Sequence, residues 1–123
     1  ANAGHNPPMF IRKNSDEIIL LHSTGPVLGP APNAQYLTEN INFSLGDVLV
    51  LYSDGITESV NKKNEQYEEE RLEKLLRKVK HLTPKQIAYS IIDEVVKFSA
   101  KGKYSDDKTL VVIKRVRNSD KII

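Results

Sequence analysis

The chain has no cysteine and no tryptophan, and a single methionine among its 123 residues. Without cysteine, neither a disulfide framework nor a thiolate metal site can form, which fits a reducing compartment. No apolar run approaches the roughly 18 residues of a membrane span, and no leader-like segment opens the chain. A cytoplasmic location is expected. An excess of one charge is lacking too, because 18 Lys and Arg stand against 16 Asp and Glu, a net charge of +2. The basic residues are scattered, densest at Lys62-Lys63 and Lys114-Arg115, and are not interleaved with aromatics. Nothing in that pattern supports nucleic-acid binding. What remains is 39% apolar and 28% charged, the make-up of one globular domain or a large piece of one.

The most informative feature is a pair of acidic motifs, each joined to an apolar run. Val48-Leu49-Val50-Leu51-Tyr52 leads into Ser53-Asp54-Gly55, and Asp106-Asp107-Lys108 leads into Thr109-Leu110-Val111-Val112-Ile113. Carboxylates at the end of one strand and the start of another can converge at one sheet edge. Hard divalent cations such as Mg²⁺ and Mn²⁺ take oxygen ligands of this kind. The competing reading makes Asp-Gly a turn and Asp-Asp a solvated loop. Strand alternation sends the Asp106 and Asp107 side chains to different sides, so at most one of them faces a shared site.

Around these motifs the first half reads as β. Residues 9–12 and 17–21 flank a polar turn and predict a hairpin. Residues 25–33 carry too much Pro and Gly for a regular element. Loose alternation over 36–43 predicts another strand, residues 45–47 a turn, and residues 48–52 a central strand apolar on both faces. The second half reads as helical. Leu72, Leu75, Leu76 and Val79 define a helix over 68–80, acidic at its start and basic at its end. Thr83-Pro84-Lys85-Gln86 is a capping-box start for a second helix. Its face comprises Ile87, Ile91, Val95 and Phe98, widened by Ile92 and Val96, and Gly102 ends it. Residues 109–116 close as a strand and 118–123 form a tail. Strands, then two helices, then a returning strand predict an α+β fold with helices on one sheet face. The opening Ala1-Asn2-Ala3-Gly4-His5-Asn6-Pro7-Pro8 has no initiator Met and resembles a strand end entering a tight turn. A segment of a longer protein is expected.

Other reactive residues have weaker contexts. His5 sits in its Gly-His-Asn-Pro turn as an acid, a metal ligand or a simple hydrogen-bonding residue, whereas His22 and His81 read as surface residues. Ser53 has no base at useful spacing and no Gly-x-Ser-x-Gly elbow, and residues 25–29 are not followed by the Gly-Lys-Ser/Thr of a phosphate loop.

Taken in order, Asn2-Ala3-Gly4-His5-Asn6-Pro7-Pro8, residues 45–59 (Leu-Gly-Asp-Val-Leu-Val-Leu-Tyr-Ser-Asp-Gly-Ile-Thr-Glu-Ser) and Asp106-Asp107-Lys108-Thr109-Leu110-Val111-Val112 resemble the SpoIIE/RsbU branch of the bacterial metal-dependent, type 2C-like protein phosphatases. Gly25 to Gly29 and Glu69-Glu70-Arg71-Leu72 are similar as well, so the resemblance spans essentially the whole chain, with a domain portion over 1–117. It implies part of a β-sandwich flanked by antiparallel helices, a two-ion Mn²⁺ or Mg²⁺ centre, and hydrolysis of phosphoserine or phosphothreonine by a metal-activated water. On this resemblance Asp54 and Asp106 are metal ligands. Gly55, Asp107, Thr109, Gly4 and His5 have supporting places. The implied substrate is a phosphorylated anti-sigma-factor antagonist or similar signalling protein, with a sensor or regulatory domain upstream. The family's Asp-x-x-Gly-His-Gly motif does not occur in these residues, so the chain alone is expected to be inactive. Unpaired sheet edges make a dimer an expectation as well. The alternative is a non-catalytic partner-binding module on the same fold.

Overall fold

Alternating apolar residues at the two chain halves meet in one sheet. The computed structural model describes residues 1–102 and 106–117, so the expected tail at 118–123 lies outside the described residues. The elements are β1 (Met9–Ile11), β2 (Ile18–Leu20), β3 (Val48–Tyr52), α1 (Asp54–Thr57), α2 (Glu68–Val79), α3 (Pro84–Ser99) and β4 (Leu110–Lys114). The four strands form an antiparallel sheet in the order β2-β1-β3-β4. The fold is therefore α+β, as the order of patterns predicts. No helix among the described residues is long and apolar enough to cross a membrane.

Register decides which side chains face the helices. Met9 pairs with Leu20 and Val50, and Ile11 with Ile18 and Val48, so these side chains share one face with Tyr52 and Val112. Against that face pack Leu72 and Leu76 of α2 and Ile87, Ile91 and Val95 of α3, all fully buried. Each such aliphatic side chain contributes about 1.5–3 kcal/mol relative to exposure. α3 starts on the expected capping box. Gln86 N donates to Thr83 Oγ1 (3.2 Å) and Thr83 N donates to Gln86 Oε1 (3.1 Å).

Four expectations need correction. Residues 36–43 form no strand: Leu37 is exposed and gives its amide to the Thr24 carbonyl (3.1 Å), while Phe43 rests on Phe10 at 5.4 Å. Phe43 against Phe10, and Ile41 in one cavity lining with Ile19 and Leu51, place the segment over the outer sheet face rather than at the edge of β2 or β4. β3 is central but asymmetric, with Val48, Val50 and Tyr52 buried and Leu49 and Leu51 only half-buried. Val96 does not widen the buried face of α3, being 49% exposed. α3 stops at Ser99, and Gly102 follows in a turn where its amide donates to the Ser99 carbonyl (2.9 Å).

Candidate metal centre

The antiparallel pairing of β3 with β4 brings the two acidic motifs side by side, since Tyr52 at the end of one strand pairs with Leu110 at the start of the other. Beyond that pair Ser53 closes a two-way clasp. Its amide donates to the Thr109 carbonyl (3.0 Å), and its Oγ accepts from the Thr109 amide (3.0 Å). Ser53 is extended and acts as the N-cap residue of α1, so Ser53-Asp54-Gly55 begins a single helical turn rather than a reversing turn. Buried Ile56 and Thr57 draw that turn into the core. Gly55 lies directly on the second motif: a Cβ there would sit 1.8 Å from the Asp107 carbonyl oxygen.

Asp54 is exposed at the first position of α1, and its Oδ1 accepts from Asn6 Nδ2 at 2.5 Å. Asn6 belongs to the opening turn, which is held from several directions. Asn2 donates to Thr24 Oγ1 and the Leu21 carbonyl (both 2.9 Å), and the His5 amide donates to Asn2 Oδ1 (2.9 Å). Tyr52 Oη donates to the Pro7 carbonyl (3.0 Å), tying the turn to β3. Gly4 has φ +83°, and a Cβ there would meet Val27 Cγ2 at 2.5 Å. His5 is exposed and bonds through Nδ1 to the Asn6 carbonyl (2.7 Å), which puts its proton on Nδ1. Asp106 is exposed, and its Oδ1 accepts from the Asp107 amide (2.8 Å). Lys108 Nζ donates to the Asp106 carbonyl (3.3 Å).

Sequence reading missed the roles of Asn6 and Ser53. Asn6 was legible only as part of the Gly-His-Asn-Pro turn, because its bond to Asp54 spans 48 positions. The sequence around Ser53 argues against a nucleophile and indicates no other role, whereas its hydroxyl serves as a backbone clasp.

Negative charge gathers around β3's end. Burial, and then the charges of Glu69, Glu73 and Asp54, push the Tyr52 phenol from its ordinary 10.0 to about 12. The folded state thus holds this proton more tightly than the unfolded chain. The associated stability is fully present below pH 10 and is lost as pH rises towards about 12. Tyr52→Phe is expected to cost about 1 kcal/mol at neutral pH through the lost Pro7 bond, and to flatten the alkaline decline. Urea midpoints measured from neutral to strongly alkaline pH check this; equal pH slopes for both proteins would refute it.

Whether these groups can hold a cation is a question of donor count. Asp54 and Asp106 each retain one carboxylate oxygen that takes no protein hydrogen bond among the described residues. Hard oxygens suit Mg²⁺ or Mn²⁺, yet such ions want about six ligands in all, with carboxylates offsetting dehydration. Among the described residues no group of three or more His, Cys, Asp or Glu is placed to hold a metal. The acids present fit the periphery of such a site and do not complete one.

The sheet with its helices matches part of the PP2C phosphatase fold. The SiaA-PP2C domain of Pseudomonas aeruginosa superposes with a TM-score of 0.72 at 14% identity, over 89% of this chain and 43% of that one. The phosphatase domain of the cell fate determinant SpoIIE from Bacillus subtilis, in a Mn presoaked form, gives 0.65 at 24% identity, over 98% of this chain and 51% of that one. The family model for Stage II sporulation protein E (SpoIIE) matches residues 1–116, and the chain belongs to that family. It is 30% identical over 115 residues to the phosphoserine phosphatase RsbU of Bacillus subtilis (strain 168), covering 94% of this chain and 34% of RsbU. The chain thus spans about a third of that relative and about half of the SpoIIE phosphatase domain.

Proposed function

We propose that these residues are the portion of a SpoIIE/RsbU-type protein phosphatase that supplies Asp54 and Asp106 to a Mn²⁺ or Mg²⁺ centre. The parent protein hydrolyses phosphoserine or phosphothreonine on a signalling protein, such as a phosphorylated anti-sigma-factor antagonist, under an upstream sensor or regulatory domain. The observation that carries this reading is the contact of Gly55 with the Asp107 carbonyl, which holds two acidic motifs, some fifty residues apart, against each other.

When bound, the metal neutralises phosphoryl charge and lowers the pKa of a water. This chain's part is to hold the acids. Asn6 fixes Asp54 through one oxygen, Ser53 and Thr109 lock the strand ends, and the Gly4–His5 turn lines the site beside them. The remaining ligands come from residues outside these 123, so the chain alone binds Mn²⁺ weakly and hydrolyses nothing.

The test is a Mn²⁺ titration of the 123-residue chain, followed by paramagnetic broadening of the Asp54 and Asp106 signals. Asp54→Asn and Asp106→Asn should each weaken binding about tenfold, the effect of losing one charged ligand worth ~1.4 kcal/mol. Curves unchanged by either substitution would remove the shared site. Substantial Mn²⁺-dependent hydrolysis of a phosphoserine peptide would instead overturn the incompleteness of the centre.

A further inference from the structure

The opposite end of the sheet carries the opposite charge. Where β3 begins and β4 ends, about 17 Å along the strand from the acidic motifs at ~3.4 Å per residue, a concavity of about 390 Å³ opens among Lys13, Lys80, His81, Lys114 and Arg115. The Leu45-Gly46 turn also lines it, and no carboxylate does so among the described residues. Its cations come from separate elements: the loop after β1, the α2–α3 link, and the end of β4 with Arg115 and Arg117 beyond it. Tertiary structure brings them together.

The charges in this bowl are not evenly neutralised. Lys80 Nζ turns to the Arg12 and Ser15 carbonyls and pairs with Asp16 at 3.2 Å. Asp47, the other nearby acid, is consumed by the Lys13 and Ser44 amides and by Arg12. Lys114 Nζ donates to the Lys80 and Leu82 carbonyls (2.9 and 2.7 Å), which fixes its position and leaves a third N–H. Arg115 spends one N–H on the Phe43 carbonyl (2.6 Å) and keeps the rest of its guanidinium. The Lys13 side chain makes no hydrogen bond among the described residues, and its stem lies on Gly46, where a Cβ would meet Lys13 Cδ at 2.6 Å. Burial, and then the Lys13 charge, pull the Lys114 ammonium below its usual range.

We propose that this pocket binds a compact oxyanion bearing two or more negative charges, of the diphosphate class, held by Lys13, Lys114 and Arg115. The volume suits a small ligand. The donors converge from three sides of a bowl, whereas an acidic peptide would need an extended groove. No Phe, Tyr or Trp ring lines the pocket to stack a base, which argues against a nucleic acid. The proposal is independent of the metal reading, since it uses none of the same residues.

The probe is pyrophosphate, titrated into the 123-residue chain at constant ionic strength and followed by calorimetry and by the amide signals of Gly46 and Arg115. Saturable one-to-one binding is expected. Lys13→Gln, at an exposed position that should leave folding intact, weakens it about tenfold, the loss of one charge-assisted contact. Asp16→Asn, which frees Lys80 from its carboxylate, tightens it about threefold. Lys63→Gln, on the loop before α2, leaves it unchanged. Shifts scattered over all lysine-bearing surfaces, or a Lys13→Gln curve superimposable on the unsubstituted chain, would overturn the proposal.

Discussion

Gly55→Ala is expected to destabilise the chain by about 3 kcal/mol, the upper part of the usual range for overpacking. The added Cβ would lie 1.8 Å from the Asp107 oxygen, 2.8 Å from its carbonyl carbon and 3.4 Å from Lys108 Cα. All three obstacles are backbone, so no side chain can swing aside. Either α1 or the start of β4 has to move, and the Ser53–Thr109 clasp lengthens with it. Gly29 supplies the contrast: it has φ +105° with open space around its Cβ position. Gly29→Ala should therefore cost only the backbone term, about 1 kcal/mol. Urea denaturation of both variants, with hydrogen exchange at the Ser53 and Thr109 amides, separates the two causes. A Gly55→Ala protein within about 0.5 kcal/mol of the parent would show that the motifs are not pressed together.

Asp47→Ala should be nearly as damaging, by about 3 kcal/mol, because it strands buried donors. The Asp47 side chain is almost fully buried and accepts from the Lys13 amide (3.0 Å), the Ser44 amide (2.9 Å) and Arg12 Nη1 (3.1 Å). It joins the loop after β1 to the turn before β3, fixing the register of that pair from its end. The Arg12 side chain is 41% exposed and can recover water. Arg12→Ala is accordingly expected to cost at most about 1 kcal/mol. Thermal melts of the two variants check this ordering, and equal losses would mean that the ion pair, rather than the two amides, carries the effect.

Both predictions concern residues whose local sequence suggested little. Gly46-Asp47 reads as a turn and Ser53-Asp54-Gly55 as a strand-terminating one. Nothing in either stretch shows that Asp47 is sealed or that Gly55 touches a motif some fifty positions away. The helices were different. The 3.6-residue spacing of Leu72, Leu76 and Val79 and the Thr83/Gln86 box are local signals, and α2 and α3 follow them closely. The hairpin of β1 and β2 was equally legible from its two apolar runs and the polar loop between them. Residues 36–43 misled because loose alternation does not distinguish a segment that pairs at a sheet edge from one whose apolar residues lie over a sheet face, as Phe43 does on Phe10.

The sequence by itself determined the β1–β2 hairpin, the helices α2 and α3 with the Thr83/Gln86 cap, and the presence of two acidic motifs, because each depends on contacts within a few residues. Tertiary structure alone decided the rest. The β3–β4 pairing placed Asp54 beside the Asp106 motif at one end of the sheet, and the fold gathered Lys13, Lys114 and Arg115 at the other. Asn6 reached Asp54 only after the opening turn had been tied to Thr24, Leu21 and Tyr52. Such placements follow from which strands become neighbours, a choice made by burial of the whole core rather than by any local stretch of residues.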